Sequence, residues 1–541
     1  MPAEPDRRLI RDFENWAAMR TAFRWNVPER FNIAQACCDS WARARPDKTA
    51  VIHVNADGAA QCWSYAQLKN ASDRLAASFA ARGVGPGDRV AVLLAQCPEV
   101  LISHFAVMKL GAVVVPLFAL FGEDALRYRL RDCGASIVVT DPENLDKLQA
   151  LRGDLPELRE VYVTGPAVEP VRGFWAEIKA ARDDLVPVDT LADDPAVLIY
   201  TSGTTGPPKG VLHAHRFLIG HLPSLECHHQ GFPQPGDVGW TPADWAWIGG
   251  LMDMAMPCLY YGVPLISHRM RKFDPEAAYH LIARHGVRNL FMPPTALKLM
   301  RQAPVPDRVD IRTISSGGES LGADLLDWGH DVLRAPINEI YGQTECNLVL
   351  TSCHGSMSVR PGSMGQAVPG FEVEIIDGAG AVLPPGEIGE IAVKAPNPVM
   401  FLRYWRQPGA TAAKFVRGWL KTGDLGVRDG DGYFTFLSRD DDVITSAGYR
   451  IGPSEIENCL IGHSDVVMAA VIGVPDALRG EVVKAYVVLR AGAKWPGLEA
   501  ELIALVRTKI GPHLAPRAIQ PIDELPMTVT GKIMRRVLRE K

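Results

Sequence analysis

The segment from 201 to 210 combines glycines, hydroxyl side chains and one lysine directly after an apolar run at 196–200. Glycines let backbone N–H groups approach a polyphosphate, hydroxyls add donors, and a lysine adds positive charge. The Gly-x4-Gly-Lys-Ser/Thr order of a Walker A loop is absent. The segment therefore predicts a nucleotide site of another design, and the alternative is an ordinary surface loop. The candidate ligands are Thr201, Ser202, Gly203, Thr204, Thr205, Gly206 and Lys209.

Four later segments carry similar chemistry: Ser-Ser-Gly-Gly-Glu-Ser at 315–320, Tyr-Gly-Gln-Thr-Glu at 341–345, Lys-Thr-Gly-Asp-Leu at 421–425, and Pro-Met-Thr-Val-Thr-Gly-Lys at 526–532. In this order, together with 201–210, they resemble the adenylate-forming superfamily of acyl-CoA synthetases, peptide-synthetase adenylation domains and luciferases. The resemblance covers nearly the whole chain. It implies that a small carboxylic acid reacts with ATP to give acyl-AMP and pyrophosphate, and that coenzyme A then takes the acyl group and releases AMP.

The resemblance assigns roles at the adenylation site. Gly318, Glu319 and Ser320 lie along the adenine, with a carboxylate at a helix N-terminus as the alternative interpretation of Glu319. Tyr341 stacks on adenine with Gly342 beside it, and Thr344 touches phosphate. Glu345 helps to hold Mg²⁺, which prefers oxygen ligands and shares them with phosphates. Asp424 accepts the ribose hydroxyls. Arg439 is a ribose or phosphate contact, or else a surface ion-pair partner.

The same resemblance predicts a mobile C-terminal region. Asp441 matches the family hinge, and Lys532 matches the catalytic lysine that neutralises charge as the acid meets the α-phosphate. Lys532 would then be a target for a protein lysine acetyltransferase, which would remove its charge. For coenzyme A, Gly448 would let pantetheine pass, and Arg450 and Arg507 would meet the nucleotide phosphates.

The acyl pocket is predicted from 244–250, with Trp247, Ile248 and Gly249 as lining residues. Acetate-specific relatives carry bulky residues where this chain has Gly317 and Gly342. The missing side chains predict a pocket for a longer or broader acid. The segments 341–345, 449–453 and 479–485 look most like the medium-chain acyl-CoA synthetases, so we expect a medium-chain, branched or aromatic acid.

The elements that must position these residues alternate between β-branched runs and helical patterns. Candidate strands lie at 89–94, 111–116, 136–140, 196–200, 289–292, 312–315 and 336–340. This alternation predicts an α/β fold, whose ligand loops lie beyond the carboxyl ends of parallel strands. Turn signals at 429–432 and the charged run at 438–442 place a domain boundary there. We expect a large N-terminal domain of parallel-rich sheets at 1–438 and a small, mobile α+β domain at 439–541.

Composition excludes several other classes. The chain has 541 residues and a formal net charge of -5, so no overall positive field would attract nucleic acid. Its 10 cysteines show no CxxC spacing, which favours a reducing compartment. The charged N-terminus and the interrupted apolar stretch at 100–121 predict a cytoplasmic protein without integral membrane contact, and that stretch reads as a buried helix followed by a buried strand.

Three rival functions remain open. The enzyme could load a separate carrier protein, although we expect no carrier domain after Lys532. It could be a luciferase-like oxygenase, for which no distinguishing feature is found. A non-catalytic nucleotide sensor would be expected to lack Lys532 or Glu345, and both are present. A metal site at the cluster His213, His215, Cys227, His228 and His229 is disfavoured, because no carboxylates stand at ligand spacing.

Overall fold

The fold is described from a computed structural model. It describes residues 7–11, 13–201, 207–318, 321–439, 442, 444–446, 449–476, 480–490, 492–512, 514–528 and 533–540. Within these residues the strands form four sheets. No helix among them is long and apolar enough to cross a bilayer.

The first sheet is mixed, with a parallel centre and antiparallel edges. Its strands are β1 (Thr49–Val54), β2 (Ala60–Ser64), β10 (Gly239–Trp240), β11 (Leu265–Ser267), β12 (Asn289–Phe291), β13 (Thr313–Gly317), β14 (Ile337–Gln343), β15 (Asn347–Thr351) and β16 (Gln366–Ala367). Their spatial order is β16-β15-β14-β13-β12-β10-β11-β1-β2.

The second sheet is parallel except at one edge, where a hairpin and a short strand run antiparallel. Its strands are β3 (Arg89–Leu93), β4 (Val113–Leu117), β5 (Ile137–Thr140), β6 (Glu160–Val163), β7 (Arg172–Gly173), β8 (Pro195–Thr201), β9 (Lys209–Ala214) and β19 (Arg403–Tyr404). Their order is β19-β9-β8-β4-β3-β5-β6-β7.

The third sheet is antiparallel throughout its described pairs, and a strand expected at 433–437 is the one part of it that was predicted from the sequence. It contains β17 (Val373–Ile376), β18 (Ile388–Lys394), β20 (Phe415–Val416), β21 (Trp419–Arg428) and β22 (Phe434–Arg439). The fourth sheet contains β23 (Ile444–Ser446), β24 (Tyr449–Ile451), β25 (Val466–Asp476), β26 (Gly480–Leu489) and β27 (Ala518–Pro521).

Helices cover the sheets. They are α1 (Trp16–Ala22), α2 (Ser40–Ala44), α3 (Tyr65–Ala80), α4 (Pro98–Lys109), α5 (Glu123–Cys133), α6 (Pro142–Leu151), α7 (Phe174–Ala180), α8 (Phe217–His228), α9 (Ile248–Gly250), α10 (Met256–Tyr261), α11 (Pro275–His285), α12 (Pro294–Met300), α13 (Ala323–Trp328), α14 (Pro408–Ala413), α15 (Pro453–Ile461), α16 (Leu498–Lys509) and α17 (Arg535–Arg539). Single π-helical turns occur at Gln35–Asp39, Leu251–Ala255 and Gly329–Leu333.

The largest core lies around α3, α4 and α8. Ser64 begins α3 with a reciprocal capping box to Gln67, which satisfies two backbone groups that a helix start otherwise leaves unpaired. Every residue of α4 except Glu99 is buried, which confirms the expected buried helix before the buried strand β4. Burying a side chain such as Phe105 stabilises a fold by about 1.5–3 kcal/mol.

The fourth sheet has a hydrophobic core of its own, built with α15 and α16 from side chains such as Ile456, Val471 and Leu502. The protein thus has a large N-terminal domain of sheets and helices and a smaller C-terminal domain, as predicted. β22 ends at Arg439 and β23 begins at Ile444. The predicted boundary at 438/439 remains a prediction.

Candidate active site

Two neighbouring strands bring the segments 315–318 and 341–345 to one end of the first sheet. β13 and β14 run parallel, and Gly317 lies opposite Ile340 in their register. Parallel strands deliver their following residues to the same edge. Gly318, which has a positive φ of 96°, therefore leaves β13 next to the point where Tyr341 continues β14.

Tyr341 is linked to the third sheet through Asp424. Its hydroxyl donates a 2.7 Å hydrogen bond to Asp424 Oδ2, and both side chains are buried. Asp424 on β21 pairs in register with Arg439 on β22, and Arg439 Nε lies 3.9 Å from Asp424 Oδ1. Burial raises the pKa of Tyr341, so its phenol stays protonated and donates to the carboxylate. The structure thus brings together the aromatic residue, the acidic residue and the arginine expected at the nucleoside.

A second contact joins Glu345 to the end of the phosphate segment. The hydroxyl of Tyr404 donates a 2.5 Å hydrogen bond to Glu345 Oε1. Lys209 Nζ lies 5.1 Å from the centre of the same Tyr404 ring. Burial, and next the Glu345 carboxylate, raise the pKa of Tyr404. The pairing of β19 with β9 therefore places an anionic and a cationic group around one phenol.

The ends of the phosphate segment are fixed by β8 and β9. Thr201 and Lys209 are opposite each other in this hairpin, and Tyr128 on α5 donates to the carbonyl of Pro208 at 2.9 Å. Thr344, between Gln343 and Glu345, is half-buried. The arrangement places Lys209 and the Glu345 carboxylate at one end of the hairpin loop.

Lys414 is a residue that sequence reasoning missed. Its Nζ donates to Gln343 Oε1 at 3.0 Å and to the carbonyls of Lys421 and Thr422 at 2.9 and 3.2 Å. Gln343 Nε2 also donates to the Thr422 carbonyl at 2.9 Å. Lys414 therefore ties the end of β14 to the segment that precedes Asp424. Tyr404 was missed as well, and neither residue stands in a motif or a periodic pattern that could have identified it.

Several predicted residues lie outside the described part of the chain: Ser202, Gly203, Thr204, Thr205, Gly206, Glu319, Ser320, Asp441, Gly448 and Lys532. Arg450 is on β24 and Arg507 is an exposed residue of α16, so both belong to the fourth sheet and its helices. Their roles remain predictions.

Residues near Lys532 and Asp441 in the chain form a half-buried ion-pair network. Arg535 at the start of α17 lies 3.1 Å from Asp442 Oδ2 and 2.8 Å from Glu457 Oε1. Its Nε also donates to the carbonyl of Val471 at 3.2 Å. The residue next to the expected hinge is thereby attached to the helix that follows the expected catalytic lysine.

Aromatic side chains line the predicted acyl wall. Trp247 precedes α9, and its ring centre lies 5.6 Å from that of Phe291 on β12. A Cβ added at Gly249 would lie 3.0 Å from both rings, and one at Gly318 would lie 4.0 Å from Trp247. Ile248 is buried. These residues form one apolar surface beside the end of β13.

Gly317 and Gly342 require a different interpretation from the expected missing walls. A Cβ at Gly317 would lie 2.3 Å from the Ile340 carbonyl oxygen, and one at Gly342 would lie 1.6 Å from the Asn347 carbonyl oxygen. Neighbouring backbone fills the space that a side chain would need, because the β14–β15 pairing shifts register between Tyr341 and Gly342. These glycines are therefore required by close backbone approach and do not by themselves indicate a wide pocket.

Glu345 has the chemistry of a Mg²⁺ ligand. Its carboxylate is buried and is oriented by the Tyr404 hydroxyl. Its backbone is also held in place, because Phe401 N donates to the Glu345 main-chain carbonyl at 2.9 Å. The ion prefers such oxygen ligands and keeps others from phosphates and water. When bound, the Mg²⁺ ion would neutralise phosphate charge.

The histidines of the disfavoured metal cluster, His213, His215, His228 and His229, are all buried, and burial lowers the pKa of each ring.

Comparison with known proteins agrees with this geometry. The family model "AMP-binding enzyme" matches residues 38–405, and "AMP-binding enzyme C-terminal domain" matches residues 455–532. The acetyl-coenzyme A synthetase of Bacillus subtilis is 33% identical, with 97% of this chain and 93% of the relative covered. The human mitochondrial acyl-coenzyme A synthetase ACSM4 is 34% identical, with coverages of 99% and 96%.

A solved benzoate CoA ligase from Burkholderia xenovorans LB400 superposes with a TM-score of 0.83 at 27% identity, covering 94% of this chain and 100% of that chain. The two family models together cover parts of both the N-terminal and the C-terminal domain. Each of the two relatives and the solved benzoate CoA ligase covers both domains by itself. The chain therefore belongs to the AMP-binding enzyme family, among its acyl-CoA synthetases.

Proposed function

We propose that the protein joins a medium-chain, branched or aromatic carboxylic acid to coenzyme A through an enzyme-bound acyl-adenylate. The observation that carries the proposal is the meeting of Lys209, Glu345 and the Tyr341–Asp424 pair around the end of β14. Those groups supply a phosphate ligand, a metal ligand and a nucleoside ligand in one place. Enzymes of this family use ATP and Mg²⁺, with coenzyme A as a substrate.

In the first half-reaction, a carboxylate oxygen of the acid attacks the α-phosphorus of ATP, and the bond to pyrophosphate breaks. Asp424 would accept the ribose hydroxyls while Tyr341 holds its carboxylate in place. Lys209 and the 201–206 segment would hold the phosphates, and Glu345 would hold Mg²⁺. Lys532 would neutralise the charge that develops between the two anions, where a fixed charge contributes most.

In the second half-reaction, the sulfur of coenzyme A attacks the acyl carbon, its proton leaves, and AMP departs with the electron pair of the broken C–O bond. The C-terminal domain would turn about Asp441 between the two steps, with the boundary at 438/439. Such closure first keeps water from the adenylate and then opens a path for the thiol. Gly448, Arg450 and Arg507 would meet coenzyme A in the second orientation.

The acid class is inferred from the wall made by Trp247, Phe291 and Gly249, which suits flat or flexible apolar groups. One similar solved structure is named a benzoate CoA ligase, which supports the aromatic part of this class. Each buried methylene contributes about 0.8 kcal/mol, so preference should change gradually with chain length.

The direct test is to incubate the purified protein with ATP, Mg²⁺, coenzyme A and straight-chain acids from acetate to decanoate, with branched acids and benzoate alongside. We expect AMP and acyl-CoA to appear in equal amounts. We expect the yield of both to be greatest with acids larger than acetate. AMP without acyl-CoA would support loading of a separate carrier protein instead. No AMP with any acid would contradict the proposal and favour a nucleotide-sensing role.

Two further proposals come from the resemblance. An acetyltransferase that modifies Lys532 would remove the charge needed for adenylation. Mass spectrometry after incubation with a purified acetyltransferase, together with an adenylation assay, tests this; unchanged activity after stoichiometric acetylation would contradict it. We also propose a cytoplasmic location, which imaging of the tagged protein in its own cells would test.

A further inference from the structure

Helix α8 carries a row of buried polar side chains. His221, Ser224 and His228 are all 0% exposed. Their spacing of three and four residues places them on one face of the helix. Neither ring nitrogen of His228, nor the Ser224 hydroxyl, meets a hydrogen-bond partner among the described residues. An unpaired buried polar group costs about 1–3 kcal/mol, so such a row requires an explanation.

Two polar residues from other elements complete this group, called here the polar floor: His221, Ser224, His228, Asp253 and Asn347. Asp253 is 4% exposed, and its Oδ1 lies 3.4 Å from His221 Nε2 without the alignment of a hydrogen bond. Asn347 is 2% exposed and lies beside His221, and its Nδ2 meets no acceptor in the described part of the chain.

Chain connectivity links the polar floor to the wall of the candidate acyl site. Gly249, which faces the rings of Trp247 and Phe291, and Asp253 are four residues apart on one continuous helical segment. Asp253 therefore lies about one helical turn beyond Gly249. From the other side, the Asn347 carbonyl lies against Gly342. His221 lies beside both Asp253 and Asn347.

Burial favours the uncharged forms of the ionisable groups in the polar floor. Burial lowers the pKa of His221 to about 3, although a hydrogen bond with the Asn347 side chain acts in the opposite direction, and burial raises the pKa of Asp253 well above its usual range. A neutral imidazole, a protonated carboxyl and an amide offer both donors and acceptors. An ionised group would be poorly stabilised there, and a plain methyl group would leave the polar atoms unpaired.

We propose that the polar floor binds an uncharged hydrogen-bonding substituent, a hydroxyl or a carbonyl, on the distal part of the acid. This inference rests on the proposed function, because it places the acyl chain between Trp247 and His221. The preferred substrates would then be hydroxy or keto acids of medium length, or hydroxylated aromatic acids. A site built to hydrogen-bond such a group discriminates strongly against analogues that lack it.

The test compares kcat/KM for acids that differ only in that substituent: 4-hydroxybenzoate with 4-methylbenzoate, and terminally hydroxylated hexanoate and octanoate with their parents. We expect at least one hydroxylated acid to be preferred by about tenfold or more. His221→Leu and Asn347→Gly should bring this ratio close to one by lowering kcat/KM for the hydroxylated acid. Glycine suits position 347 because Asn347 has a φ of 51°.

His104→Leu is the matched control. His104 on α4 is likewise 0% exposed with both ring nitrogens unpaired, but it is not part of the polar floor. This variant should keep the wild-type ratio. If wild type forms acyl-CoA and prefers the parent acid in every pair, the inference is wrong while the proposed function stands. If no acid of the panel yields AMP, both are wrong.

Discussion

The phenol of Tyr341 donates a 2.7 Å hydrogen bond to Asp424, which stands 83 residues later in the chain. This contact joins the parallel strand β14 of the first sheet to the antiparallel strand β21 of the third. The residue expected to stack on adenine therefore also orients the residue expected to hold ribose. One hydroxyl therefore links the two parts of the proposed nucleoside site.

Tyr341→Phe should keep the ring and lose this orientation. A hydrogen bond to a charged group contributes about 1.5–3 kcal/mol, so we expect kcat/KM for ATP to fall roughly 10- to 100-fold. ATP–pyrophosphate exchange measures this. Tyr279→Phe is the control, because Tyr279 is also buried and its hydroxyl donates to the Met300 carbonyl at 3.1 Å. Equal loss in both variants would contradict the assigned role.

Tyr404→Phe should weaken the Mg²⁺ dependence of adenylation. The variant removes the donor that orients Glu345, so a higher Mg²⁺ concentration should be needed for half-maximal exchange, by roughly threefold to tenfold. A titration of Mg²⁺ at saturating ATP measures the shift. Tyr433→Phe, whose lost donor serves the Ser358 carbonyl, should show no shift. An unchanged Mg²⁺ curve for Tyr404→Phe would exclude this orienting role.

The parallel strands could be predicted from the sequence, because strands buried on both faces read as continuous β-branched runs. The runs at 89–94, 136–140 and 289–292 correspond to β3, β5 and β12. Of the third sheet, only the strand expected at 433–437 was predicted. Its other strands are short or mix exposed, half-buried and buried positions, so they show no continuous β-branched run.

The candidate site was only partly predictable for the same reason. Motifs identify Asp424 and Glu345, but the groups that hold them come from other elements. Tyr404 reaches Glu345 from 59 residues away, and Lys414 reaches Gln343 from 71 residues away. The glycine at 342 reads as missing bulk in sequence, whereas the Asn347 carbonyl fills its place in the fold.

Arg535→Met should slow adenylation more than thioester formation. Arg535 attaches the start of α17, just after the segment with Lys532, to Asp442 and Glu457. Loss of these two ion pairs should lower the rate of ATP–pyrophosphate exchange by about tenfold or more. The rate of acyl transfer from synthetic acyl-adenylate to coenzyme A should fall less. Arg535→Lys should restore little, because an ammonium group does not reproduce the guanidinium geometry.

The control for that comparison is Arg536→Met. The Arg536 side chain is 78% exposed and should tolerate the change in both half-reactions. If Arg535→Met slowed both half-reactions equally, Arg535 would be needed only for folding of the C-terminal domain.

Lys109→Met should destabilise the N-terminal domain. Lys109 is 0% exposed and lies 2.7 Å from Asp39 and 2.6 Å from Asp73, so the variant removes the cation from Asp39 and leaves Asp73 with Lys69 alone. Removing one partner of a buried network costs about 3–5 kcal/mol. Urea unfolding followed by tryptophan fluorescence measures this. Lys69→Met, which removes a partly exposed partner of Asp73, should cost about 1 kcal/mol or less; similar losses in both variants would contradict the prediction.

The central claim, one site that first adenylates the acid and then transfers it to coenzyme A, is tested most directly with Lys532→Ala in the two separate half-reactions. We predict that ATP–pyrophosphate exchange falls by about 100- to 1,000-fold, while synthetic acyl-adenylate and coenzyme A still give acyl-CoA near the wild-type rate. Unimpaired exchange, or equal loss of both half-reactions, would contradict the account.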